Sequence, residues 1–198
     1  MKHLCLLLVL TVFGCDPKSE EQTTGGSPDT DTDTDTPGSS THWRIVNATS
    51  LDDHWNISEM TFFADNECKN SLADAVTDII TVEISDNDCS EDTALEGTIG
   101  YDTDVLNDGD CTFEGGCDPG NWVSDPTSSG ARQIWVGYTL NEPSIVGCIT
   151  LCQSSEQEQR VTEIMLERSD DEGETWITIE TIASETVSTT VPTVFIRE

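Results

Sequence analysis

The chain has 198 residues, with 39 Asp and Glu against 8 Lys and Arg, for a net charge of −31. A surface of that sign repels phosphates, anionic glycans and anionic lipid, which excludes a nucleic-acid binder and leaves a covalent lipid as the only route to a membrane. The same surface suits divalent cations or a salty exterior where repulsion is screened.

Residues 1–15, MKHLCLLLVLTVFGC, combine Lys2 with an apolar run from Leu4 to Phe13. The run is too short to span a bilayer and reads as an export signal. Its ending, Val12-Phe13-Gly14-Cys15, resembles a bacterial lipobox, which makes Cys15 the lipid anchor; cleavage without lipidation is the alternative. Residues 16–41 contain almost no apolar side chain and are expected to be disordered. Asp31, Asp33 and Asp35 are spaced like the start of a calcium loop, but the glycine and distal glutamate such a loop needs are missing, so a self-repelling tether is the better reading. Fully extended, its 26 residues reach about 85 Å.

Residues 42–198 fit one domain able to bury its own core. Seven of the acidic side chains and Lys18 lie in the tether and Lys2 in the leader, which leaves 32 acidic and six basic side chains, a charge of −26, on this domain. Thr41–Ser50 and Trp55–Ala64 read as the first two strands, with Met60, Phe62 and Ala64 on one face. Asn47-Ala48-Thr49 and Asn56-Ile57-Ser58 match the glycosylation acceptor pattern, read here as chance matches. A long acidic stretch, 65–95, follows.

Beyond Cys5 and Cys15, six cysteines remain: Cys68, Cys89, Cys111, Cys117, Cys148 and Cys152. An even number in an exported chain reads as three disulfides, and the spacings do not match the close pairs of a zinc ribbon. Cys148 and Cys152 sit four residues apart on one strand face, roughly 13 Å, beyond the ~7 Å a disulfide tolerates, so they do not pair with each other. With Ile149 and Leu151 as core candidates, Cys148, Thr150 and Cys152 face outward. Segment 111–121 is then expected to fold over that face, with Cys111 and Cys117 bonding Cys148 and Cys152 in an order left open, while Cys68 and Cys89 close the acidic loop.

Residues 133–182 contain four strand-like runs: Gln133–Leu140, ended by Asn141-Glu142-Pro143; Ile145–Gln153; Val161–Arg168, closed by Ser169–Gly173; and Thr175–Ile182, with Trp176, Thr178, Glu180 and Ile182 on one face and Ile177 and Ile179 on the other. Strands at this spacing without intervening helices predict an all-β antiparallel sandwich.

The order Trp135-Val136-Gly137-Tyr138, then Val146, Ile149, Leu151 and Gln153, then Arg168-Ser169-Asp170-Asp171 before Gly173 and Trp176-Ile177-Thr178-Ile179, resembles the discoidin, or coagulation-factor type C, domain. Asp108-Gly109-Asp110 with Trp122-Val123-Ser124, and upstream Trp43-Arg44-Ile45 and Ile57–Phe62, extend the likeness over residues 42–198. The resemblance implies an antiparallel jelly-roll of about eight strands with galactose-binding-like architecture. Leu106–Asp110 offers the hard oxygen ligands and pliable backbone that calcium needs, although Asp and Gly also simply make turns. Relatives of the resembled family often hold a structural calcium here together with a glutamate of the last strand. Carried onto this chain, that implies Asp108, Asp110 and Glu198 as side-chain ligands and Val105 and Gly120 as backbone ligands.

No serine elbow, metal-binding helix or separable carboxylate pair nominates an enzyme; His3 lies in the leader and His42 and His54 flank the first strand. In the resembled family ligands sit on loops at one end of the sandwich. Trp43, Trp122, Trp135 and Trp176 fall at positions that resemble core or strand residues of that family, whereas His54 and Trp55 at the first hairpin and Phe113 in segment 111–121 are freer. His54 and Trp55, with the rare cation Arg132, are the expected contact residues. Arg44 is expected in an ion pair. The expected function is a surface-tethered, monomeric, non-catalytic module that binds a glycan; the alternative is a docking domain for another cell-surface protein.

Overall fold

A computed structural model of the chain describes residues 38–82, 104–112, 121–124, 130–184 and 192–198. The leader with Cys15, the tether up to residue 37, Cys89, Cys117 and Gly120 lie outside the described residues. Nine strands are described: β1 (Ser40–Asn47), β2 (Asn56–Phe63), β3 (Val76–Thr81), β4 (Trp122–Val123), β5 (Trp135–Ser144), β6 (Cys148–Gln153), β7 (Glu163–Ser169), β8 (Ile177–Ala183) and β9 (Thr193–Ile196). They form a five-stranded sheet, β3-β5-β1-β7-β8, and a four-stranded sheet, β4-β2-β6-β9, with antiparallel pairings. The fold is the all-β sandwich that the strand spacing predicts.

Period-two alternation explains the core. From the larger sheet Trp43, Ile45, Val136, Tyr138, Leu140, Ile164 and Leu166 face inward, and they meet Ile57, Met60, Phe62, Ile149, Leu151 and Phe195 of the smaller one. Phe62 and Tyr138 touch edge to face across the layer at 5.0 Å between centroids. Gly137 takes the outward position between Val136 and Tyr138, and glycine is needed there because a Cβ would come 2.0 Å from the Trp43 carbonyl oxygen and 2.7 Å from Arg44 Cα.

Three strand assignments change. β5 continues through Pro143 to Ser144, because the register slips between Ser40 and His42 and a proline fits at such an irregular sheet end. β3 lies inside the acidic stretch, where charge hides the run Val76–Thr81. In β8 a register shift sets Glu180 opposite Leu166 but Thr178 opposite Glu167. The simple alternation expected there is broken: Ile182 is in the core, Ile179 packs against it, and Ile177 is exposed.

The outward face of β6 is as expected, with Cys148, Thr150 and Cys152 opposite Phe63, Thr61 and Glu59 of β2. Cys111 bonds Cys152, one of the pairings left open, while residues 113–120 of its segment lie outside the described residues. Cys68, however, bonds Cys148 rather than Cys89. The reason is strand order: the end of β2 lies against the start of β6, the Gly147 amide donates to the Phe63 carbonyl at 2.9 Å, and the turn after β2 brings Cys68 back over Cys148. In both bridges the Cα atoms are 5.4 Å apart. Two disulfides fit an oxidising compartment, and among the described residues no helix is long and apolar enough to cross a membrane.

Candidate functional site

β1 and β6 end, and β5 and β7 begin, at the same end of the sandwich, so the segments 48–55, 130–134 and 154–162 gather there. Buried Asn47 ties two of them together. Its amide Nδ2 donates to the carbonyls of Thr49 and Gly130, both at 2.9 Å, and its Oδ1 accepts from the Ile134 amide at 3.0 Å. Gln153 ties the third: its Oε1 accepts from Trp55 Nε1 at 2.8 Å and the Val161 amide at 2.9 Å, while its Nε2 donates to the Val161 carbonyl at 3.1 Å. Asn47 and Asn56 are both buried, so neither acceptor motif presents a side chain for glycosylation.

On this scaffold opens a cleft of about 630 Å³. One wall is Thr49, Ser50, Leu51 and Asp52; the other is Gln157, Glu158, Arg160 and Thr162. The lining is hydroxyls, an amide, two carboxylates and one guanidinium, with Leu51 as its apolar member. Nε and Nη1 of Arg160 are shut off from solvent with no hydrogen-bond partner among the described residues, an arrangement that leaves the cost of desolvating those donors unrecovered.

The expected contact residues fare differently. Trp55 is fully buried, packed edge-on against Trp122 at 5.9 Å, and is a core residue rather than a contact. Its position just before β2, with its amide and carbonyl bonded to Ser124, turns the ring inward. His54 is half-buried and not among the residues that line the cleft, its Nδ1 2.9 Å from Asp53. Asp53 in turn accepts from Gln159, which joins the two walls. Burial works against the charged form of Asp53, but the His54 amide and Gln159 side chain hold its carboxyl below the usual range. Arg132 is exposed at positive φ, its amide bonded to Asn47, in the turn beside the cleft.

Trp43 and Trp122 are core residues as expected, whereas Trp135 and Trp176 are half-buried on the outer face of the five-stranded sheet. They hold Arg44 between them, its guanidinium 4.9 and 4.2 Å from the two ring centroids. Arg44 is also in the expected ion pair, and its partner is Glu167 at 2.6 Å.

Among the described residues, the calcium ligands carried from the resemblance are not brought together. Glu198 lies past the end of β9, its amide bonded to Glu180, whereas Asp108 stands beside Glu59 at the opposite end of β6. Val105 lies in the 3-10 turn Asp104–Asn107 before Asp108. Asp110 accepts from the Thr112 amide at 2.8 Å, within its own turn. Among the described residues no three His, Cys, Asp or Glu side chains are placed to hold a metal ion. The acid that meets the Asp108 turn is instead Glu59, which accepts from the Gly109 amide at 3.0 Å. Burial, reinforced by the neighbouring Asp108, pushes the Glu59 carboxyl up to about 7. Tyr138 is pushed up by burial and by the charge of Glu59; its hydroxyl lies 2.5 Å from the carbonyls of both Met60 and Leu106.

Thr49, Asp52, Glu158 and Arg160 escaped the sequence reading. The usable signal was rarity: Arg160 is one of six cations in the domain, as Arg44 and Arg132 are. Comparison with protein-family models, curated proteins and solved structures finds no match to this chain.

Proposed function

We propose that residues 38–198 form a non-catalytic binding module that recognises carbohydrate through the cleft between segments 49–52 and 157–162. One observation carries this reading: the cleft offers hydrogen-bond donors and acceptors side by side on a mostly polar lining, one that a polyhydroxylated ligand can satisfy. The resemblance to discoidin domains supports it, since their ligands also sit on loops at one end. β1 starts at Ser40, and the cleft opens beyond the other end of that strand. Docking to a protein is the weaker alternative, because Ile177 is the sole exposed large hydrophobic among the described residues and one side chain makes no patch.

The test is a glycan-array screen of the processed chain with its disulfides intact, with calcium and again with chelator. Binding to a narrow set of glycans is expected, and its loss with chelator would tie a cation to the site. A blank array from folded protein would reject the carbohydrate reading.

A further inference from the structure

Arg160 stands between a fixed backbone and an open cleft. Both polar groups of Val161 are held by the Gln153 side chain, so the backbone beside Arg160 is anchored to the sandwich. Its side chain is not. Among the described residues its buried Nε and Nη1 have no partner, and Arg160 makes no ion pair with Asp52 or Glu158, although all three line one cleft. Neither carboxylate has a hydrogen-bond partner among the described residues either. A guanidinium with desolvated, unbonded N–H groups gains by turning onto any acceptor that enters.

We propose that Arg160, Asp52 and Glu158 select a neutral saccharide with two adjacent hydroxyls, Arg160 donating to the pair of oxygens and the carboxylates accepting from the hydroxyl protons; this rests on the carbohydrate reading above. The argument is one of matching. The planar guanidinium presents paired, nearly parallel N–H bonds that span neighbouring oxygens. A carboxylated sugar would satisfy Arg160 but confront two carboxylates and a domain charge of −26. An amino sugar would satisfy the carboxylates and confront Arg160. A hydroxyl both donates and accepts, so it serves both. With no aromatic side chain among the described lining residues to stack on a ring, these hydrogen bonds carry the recognition.

The experiment titrates the ¹⁵N-labelled, disulfide-intact processed chain with methyl glycosides of glucose, galactose and mannose, with glucuronic and galacturonic acids, and with glucosamine. The readout is the Arg160 Nε–H resonance, assigned by its loss in Arg160→Lys. At least one neutral glycoside is expected to shift that resonance, to bind at least tenfold more weakly to Arg160→Lys and to Glu158→Gln, and to outcompete its uronic acid by at least tenfold. A neutral glycoside that binds without moving the resonance, and equally well to both variants, overturns the assignment and leaves the carbohydrate reading standing. Equal or tighter binding of a uronic acid overturns the selection for neutral ligands. A folded chain that binds no sugar overturns both.

Discussion

Glu59 shows how one buried side chain can couple stability to pH. Its ordinary value is 4.5 and its folded value about 7, because burial and then Asp108 disfavour the charged form. The folded chain therefore keeps a proton that the unfolded chain releases, and stability falls as pH rises from about 4.5 to about 7, with the full cost present above that window. Glu59→Gln keeps an acceptor for the Gly109 amide and removes the charge. It is expected to flatten this limb and to gain about 1–2 kcal/mol at pH 8, after discounting for solvent screening. Urea unfolding at pH 5 and pH 8 measures it; a variant as pH-sensitive as the parent would contradict the assignment. Asp171 has the opposite sign. The hydroxyls of Thr175 and Ser169, then the Thr175 amide, hold its carboxyl down to about 2. Its contribution is present above the ordinary 3.8 and is lost as pH falls toward 2. Asp171→Asn should lower the melting temperature at pH 6 and flatten the acid limb between pH 4 and 2; an unchanged acid limb would place the titration elsewhere.

Among the elements, β6 organises the smaller sheet. It is bordered by β2 and β9, its inward side chains fill the core, and its two outward cysteines bond Cys68 and Cys111. The bridges close sequence separations of 80 and 41 residues, worth about 4–4.5 kcal/mol each in the chain-entropy model. Proteolysis without reductant, followed by mass mapping, should recover peptides joined through Cys68–Cys148 and Cys111–Cys152. Replacing either pair by alanine should cost stability of that order, and a loss under about 1 kcal/mol would mean that the bridge constrains little in the unfolded chain. Element existence was largely legible because the apolar alternation of Trp43–Ile45, Met60–Phe62, Val136–Leu140 and Ile164–Leu166 is local. The β8 register shift and β5's passage through Pro143 were not, since each depends on the strand lying alongside.

At the scale of the molecule, charge dominates. With a net −31 on 198 residues, like charges oppose compaction, and added salt shortens the screening length from about 20 Å at 0.02 M to about 4 Å at 0.5 M. The melting temperature should rise over that range. A fall would instead show that pairs such as Arg44–Glu167 and Arg197–Glu180 outweigh the general repulsion.

The amino-acid sequence by itself determined the strand composition, the outward orientation of Cys148 and Cys152, and the charge, because each is set by neighbours along the chain. Which cysteine meets Cys148, which acid meets Asp108 and which cation lines the cleft were decided only by the tertiary structure. Each of these depends on which strands lie side by side: β2 against β6 brings Cys68 to Cys148, and the ends of β1 and β6 bring Asp52 to Arg160. Long-range adjacency leaves no period in the sequence, so Trp55, exposed by its local setting, was free to become core, and Arg160, unmarked by any motif, to become the centre of the proposed site.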